Sequence, residues 1–424
     1  MSLIFNDAFL DSMSTRGKHT YAYQFRSAFP NGVTYGVMTL VGFVATKALG
    51  GTAWHTSLPQ VASMVGLLAS GYLYELVKSQ NRLRVVVWSW MAGAVGIIAM
   101  GIPTSATPFV LLGSTYFMLS SITIPTYTSI LKSNYPDWAR ASVLGFIRQW
   151  LFVVGAAAAL VAGFVLDRYP AAYRIIFPIA GLLNILGNYF FSRIRVQDEP
   201  APRRSFSLTA GLEVLRDDRA YREYLLIMFV AWFSSLMMMP LIPVVLGDRN
   251  YLGVSYIVGA LALSVVTGVL QTLTVSWWGR VADRTKPWDL QAIFMLAHGV
   301  TAFCLYVGTV FRSVIPFFAA AVIMGLFLSG LDIVWLLGPV HFAPKSKVAE
   351  YSAVNATLTG VRGVTASFLG ATMSSLLGPE YVFWLAGLVM VLASYSMHRF
   401  ARRQDEAASR TLRDGGRTDP ASSK

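Results

Sequence analysis

The chain has 424 residues, 55% of them hydrophobic and only 13% charged, with a mean hydropathy of +0.55; a soluble domain carries about 25% charged residues, so an ordinary soluble fold is excluded. The apolar residues come in runs of about 20 or more, enough at ~1.5 Å per residue to cross a ~30 Å hydrocarbon core, which is the pattern of an all-α polytopic membrane protein. The formal net charge of +13 does not point to nucleic acid, because the bases collect between apolar runs and form no stripe on one face.

Residues 1–20 hold no apolar core followed by a small-residue cleavage site, so the first span is expected to direct insertion itself. Twelve candidate transmembrane helices follow: 28–49, 54–76, 85–102, 108–131, 142–166, 173–192, 225–246, 251–278, 288–311, 314–342, 351–378 and 380–398. They divide into two six-helix bundles, residues 1–192 and 225–398. Between them lies a basic linker, 193–224, in which Pro200-Ala-Pro202 is unsuited to a helix interior and Leu208 to Leu215 suits a short interfacial helix. The polar tail, 399–424, is expected to be disordered. The one cysteine, Cys304, lies in an apolar run, so packing is its expected role. His55 and His298 have no metal-ligand spacing with other donors, and no metal or cofactor is expected.

Orientation follows from the bases. With both termini inside (N-in/C-in), 27 of the 34 Lys and Arg fall in the cytoplasm. Five fall outside (Lys47, Arg168, Arg174, Arg249 and Arg312), and two, Arg148 and Arg362, lie within spans. The positive-inside rule favours this placement.

The halves also repeat. Gly71-Tyr-Leu-Tyr-Glu75, followed by Lys78, Arg82 and Arg84, stands 208 residues before Gly279-Arg-Val-Ala-Asp283, followed by Arg284 and Lys286. Met118 to Ile124 stands opposite Phe327 to Ile333 at an offset of 209, and Ala141 to Leu144 opposite Tyr351 to Val354 at 210. Six spans per half keep the repeats in one orientation, so the expected axis runs along the membrane normal.

The two glycine loops resemble those of the major facilitator superfamily, whose loop after the second helix reads Gly-x-Leu-Ala-Asp-Arg-x-Gly-Arg-Arg and recurs more weakly six helices later. Gly279 to Arg284 matches the first six positions with Val281 for Leu; Lys286, Pro287 and Trp288 then depart from it. The earlier copy keeps Gly71 and Leu73 but has Glu75 for Asp and Leu76 for Arg, so the better copy is the second, the reverse of the family's habit. The resemblance covers all twelve spans and implies two bundles rocking about one central site. Gly71, Glu75, Arg82, Gly279, Asp283 and Arg284 are then expected to form a cytoplasmic gate. A glycine lets helices approach closely, and a carboxylate at the membrane edge accepts bonds from the other half. Ordinary interfacial bases are the competing reading.

Charges inside spans carry the functional reading, since one at mid-bilayer costs about 2.5–3.5 kcal/mol even on insertion scales. Asp332 lies 11 residues before Ala343 and Arg362 lies 11 after Tyr351, so both are ~16 Å deep on consecutive antiparallel helices. They are expected to pair, either as a static salt bridge or as a switch opened by substrate or a proton. Asp332 is the only acid well inside a span and the leading candidate for proton coupling. Arg148, ~9 Å into span five, either snorkels to the interface or faces inward and makes the cavity positive, favouring an anion. Asn31, Thr34 and Tyr35, Tyr127, Gln149, Gln271, Asn355 and Trp232 are candidates for cavity lining, each weighed against a helix–helix contact. Met237 to Met239 with Pro240 and Pro243 suit a bendable wall.

The expected function is secondary transport of a small solute by alternating access, first a proton-coupled organic anion and second a drug or metabolite exporter. A transport-inactive scaffold or sensor is the alternative of another class. No phosphate loop for ATP appears, and no cluster of acids, histidines or nucleophiles suggests an enzyme. The expected partners are the solute, protons and the lipid bilayer. A monomer in a plasma membrane, the inner membrane of a bacterium, is the expected setting.

Overall fold

The computed structural model describes residues 12–77, 81–196, 208–282, 284–344 and 347–415. Among them the regular structure is helical. The chain runs through α1 (Thr15–Met38) and α2 (Val41–Leu49), α3 (Ala53–Val77), α4 (Arg82–Ala99), α5 (Ala106–Ile122) and α6 (Ile124–Asn134), α7 (Asp137–Arg168) and α8 (Tyr173–Ser192). After α9 (Leu208–Asp217) come α10 (Arg219–Met238) and α11 (Ile242–Gly247), then α12 (Tyr256–Ala260), which passes through a π turn, Leu261–Val265, into α13 (Val266–Ala282). The last four are α14 (Pro287–Val310), α15 (Ile315–Phe342), α16 (Val348–Leu377) and α17 (Pro379–Gly415).

Each of the twelve expected segments is helical, and most edges agree within a few residues. Nine helices among the described residues are long and apolar enough to cross a membrane, or ten if α5 and α6, bent by 45°, form one span. The protein is therefore a multi-pass integral membrane protein. The segments below that threshold are α3 and α16, 25 and 30 residues long. They pack on each other across the molecule, so part of their surface meets protein instead of lipid and tolerates Gly, Ser and Thr. Gly360 and Gly363 of α16 back onto Leu68 and Met64 of α3, and Gln60 donates to Ser367 Oγ at 2.7 Å and to the Leu236 carbonyl at 2.9 Å.

Packing repeats with the sequence. In the first half α1 packs on α7 and α8, α3 on α5, and α4 on α5 and α8. In the second half the helices six spans later make the same five pairs: α10 on α16 and α17, α13 on α15, and α14 on α15 and α17. The closest approach is between α1 and α7, where a Cβ on Gly36 would fall 1.9 Å from the Gly155 carbonyl oxygen. The halves meet through α3 with α16, α7 with α12 and α13, and α2 with α11.

The two ends of the molecule differ. At the end carrying Lys47 and Asp167, one buried cluster runs through both halves and joins Phe43, Phe109 and Phe177 to Met238, Leu246 and Phe383. At the opposite end, where most bases collect, the buried clusters stay within one half: Tyr221, Trp288 and Phe400 in the second, Tyr135 and Val143, or Val86 and Phe191, in the first. Among the described residues the halves therefore share a buried core at the far end and none at the basic end.

The C-terminal segment corrects an expectation. Helix α17 continues to Gly415, although 399–424 reads as a disordered tail. Phe400 is fully buried against Tyr224, Trp288 and Phe342, and ion pairs Arg403–Glu223 and Lys286–Asp405 hold the next turns. Helix α9 forms where the linker was expected to hold a short helix.

Candidate functional site

Three of the expected residues come within electrostatic reach of one another, Tyr35 from the last turn of α1 and Arg148 and Asp332 from the interiors of α7 and α15. Tyr35 of α1 is 41% exposed, and Arg148 of α7 and Asp332 of α15 are exposed as well. The charge of Arg148 acts on Asp332 and on the Tyr35 hydroxyl, and that of Asp332 acts on Tyr35 too. An acid of the second half thus lies within electrostatic reach of a base of the first. Arg148 also acts on Tyr127, whose hydroxyl accepts a bond from Gln24 Nε2 at 2.8 Å, while Tyr135 donates to Gln24 Oε1 at 2.8 Å.

Beside Tyr35 lies a cavity of about 220 Å³, walled by Met239, Ile242 and Pro243, by 262–271 of the π turn and α13, and by Leu305, Phe317 and Leu328. Pro240 and Pro243 break the seventh span into α10, a 3₁₀ turn and α11, which brings Met239 and Pro243 to this wall. Gln271 lines it as well. A larger hollow of about 420 Å³ at the basic end of the first half, around Ser12, Lys132 and Trp138, shares no residue with it.

Other expected residues lie elsewhere. The expected pairing of Asp332 with Arg362 is not formed. Arg362, 4% exposed, donates from Nη1 to the Met228 carbonyl and from Nη2 to Thr359 Oγ1, both at 3.0 Å. The reason is lateral: α16 packs chiefly on α3 and α10, so its arginine meets α10 and not Asp332. Asn31 accepts from Asn184 Nδ2 at 3.0 Å, and Thr34 donates to the Ala180 carbonyl at 2.8 Å, both joining α1 to α8. Trp232 meets the edge of His298 at 4.8 Å inside the second half, where Asn355 is also buried. Asn31 and Thr34 thus serve as helix–helix contacts, because a polar group between two helices finds its partner there, and Trp232 and Asn355 are buried within the second half. Gln149 donates to the Thr272 carbonyl at 3.4 Å and bridges the halves.

Among the residues expected to form a cytoplasmic gate, Gly279 faces open space: a Cβ on it would meet nothing within 4 Å. Arg284 is exposed. Arg82 is buried, and one of its bonds reaches Ser129 Oγ at 3.5 Å. Gly71 lies near the end of α3, while Asp283 and the Glu75 side chain fall outside the described residues.

A contact not foreseen closes the far end. Asp167, at the end of α7, accepts from the Tyr256 amide at 2.6 Å and the Ile257 amide at 3.0 Å, while Ser255 Oγ accepts from Val258 at 3.2 Å. Three of the four free amides opening the eighth span are satisfied, two of them by the other half. Lys47 donates to the Val254 carbonyl and sits over the Tyr256 ring at 5.2 Å. Deeper, Thr39 and Ser264 hydroxyls share a hydrogen bond. The available signal was an acid and a base at span ends on the base-poor side.

Residues 25–361 match the family model of the Major Facilitator Superfamily. Among curated proteins none matches. A solved POT family transporter in complex with a thioalcohol-conjugated peptide is 14% identical, covers 93% of this chain and 99% of its own, and superposes with a TM-score of 0.70. A peptide transporter POT in complex with sulfate is 15% identical, with 91% and 94% covered and a TM-score of 0.69. A mutant of the nucleoside transporter NupG is 12% identical, with 90% and 99% covered and a TM-score of 0.69. The likeness is one of fold.

Proposed function

Because the chain belongs to the Major Facilitator Superfamily, we propose that it carries a small organic anion by alternating access, with Asp332 as the proton site and Arg148 as the anion site. The twelve helical segments are its spans, both termini are cytoplasmic, and residues 1–192 and 225–398 are the moving bundles. The basic end is then the cytoplasmic end, and the conformation described above opens inward.

One observation carries the reading: Asp332 and Arg148 come from opposite halves and are both exposed within their spans, and the charge of Arg148 reaches Asp332 and Tyr35. With Asp332 ionised, the two side chains neutralise each other and an anion has little to bind. With Asp332 protonated, the guanidinium is free to take a carboxylate in bidentate fashion. Proton and anion therefore load together, and the site carries no net charge as the halves tilt. A drug or metabolite exporter is the second reading, favoured by the apolar wall beside Tyr35.

The test is thermal stabilisation of purified protein by acetate, benzoate and phosphate, with choline and glucose beside them. A bound solute raises the melting temperature by mass action. A carboxylate is expected to stabilise the wild type, to lose that effect in Arg148→Ala, and to lose its pH dependence in Asp332→Asn. If choline alone stabilises, the exporter reading replaces this one.

A further inference from the structure

We infer that the solute is amphipathic: besides its acidic group it carries an aromatic ring or a branched aliphatic group, which enters the cavity beside Tyr35. This rests on the anion reading of the Arg148–Asp332 site and names the chemical class that site takes.

The cavity and the charged site adjoin. Tyr35 belongs to both, and Leu328 on the cavity wall precedes Asp332 by four residues on α15, one helical turn or ~6 Å along the same face. A solute whose carboxylate meets Arg148 therefore has its other end directed toward Leu328, the near edge of the cavity.

The wall offers that end little hydrogen bonding. Ser264 is bonded to Thr39 and Thr267 donates to the Ala321 carbonyl at 3.4 Å, which leaves the Gln271 amide and the Tyr35 hydroxyl as the polar groups on the wall. What remains is chiefly Met, Leu, Ile, Pro and Phe surface. An apolar cavity of about 150 Å³ stays dry and takes up benzene, and this one measures about 220 Å³. Its volume suits a ring or a branched chain. A purely polar anion would leave the space without contacts.

The experiment measures binding of acetate, butyrate, hexanoate and phenylacetate to the full-length protein in detergent, at fixed ionic strength. Affinity is expected to rise about fourfold per added methylene and to level off once the cavity is filled. Gly268→Leu probes the place directly: Gly268 lines the cavity, and a Cβ there meets nothing within 4 Å, so the larger side chain enters free space. The ratio of phenylacetate to acetate affinity should fall at least tenfold in this variant. If carboxylates bind but chain length has no effect, the inference falls and the anion site stands. It falls equally if Gly268→Leu keeps the wild-type ratio, or if the gain survives Arg148→Ala, since the apolar group then sits in the micelle or elsewhere. If no carboxylate of any length binds, the anion reading itself fails.

Discussion

Helix α7 meets two different surroundings along its length. At the far end, a Cβ on Gly163 would lie 3.0 Å from the Tyr256 carbonyl oxygen of the other half, and Asp167 one turn later caps the same segment. Toward the basic end, Gly145 on the same helix would meet nothing within 4 Å. The helix thus meets the other half at its far end, while toward the basic end it packs within its own half, through Val143 and Ile147, and Gly145 faces open space. In the proposed alternating access it would act as a lever with its pivot between. Gln149, bonded to the Thr272 carbonyl, lies in that middle stretch.

The contrast can be broken from either end. The largest effect is expected from Gly163→Leu, whose side chain would press on the backbone of Tyr256 and Ile257. It should penalise the closed far end by about 3 kcal/mol, a population shift on the order of a hundredfold. Spin labels at Ser142 and Arg280 would report it as a shortened distance at the basic end. Gly145→Leu should leave that distance long, because it obstructs only closure; matching distances in the two variants would refute the lever. Asp167→Ala comes next, removing two amide acceptors and a favourable charge at a helix N-terminus, about 1–2 kcal/mol. The label distance distribution should shift the same way as for Gly163→Leu, and by less. Lys47→Met is smallest: its head group is part-exposed and bonds to a backbone carbonyl, so a shift of less than about 1 kcal/mol is expected, weakening further in high salt.

The helices were legible because apolar runs of membrane length leave few alternatives, and 173–192 coincides with α8 to the residue. The site was legible in part. Counting residues from a span edge gives depth: Asp332 lies 10 residues before the end of α15 and Arg362 lies 14 after the start of α16. Depth carries no information on direction around the axis or on which helix stands beside which. Helix α16 follows α15 in the chain but packs chiefly on α3 and α10, so the acid and the arginine part company. Arg148 had two readings for the same reason. The cavity beside Tyr35 was less legible still, because its wall draws on five separate helical segments. Polar groups such as Asn31 and Thr34 read alike whether they line a cleft or join two helices, and only the packing of α8 distinguishes them.

The last helix runs to Gly415, 17 residues past the expected membrane edge at 398, or ~25 Å of helical rise. Because Phe400 and Arg403 clasp its base to the second half, a fluorophore fixed near its tip would be carried as the hand on a dial. A tilt of a few degrees, too small to alter distances inside the bundle by much, would swing the tip through ångströms. The segment that reads as a loose tail is a natural place to mount an orientation reporter.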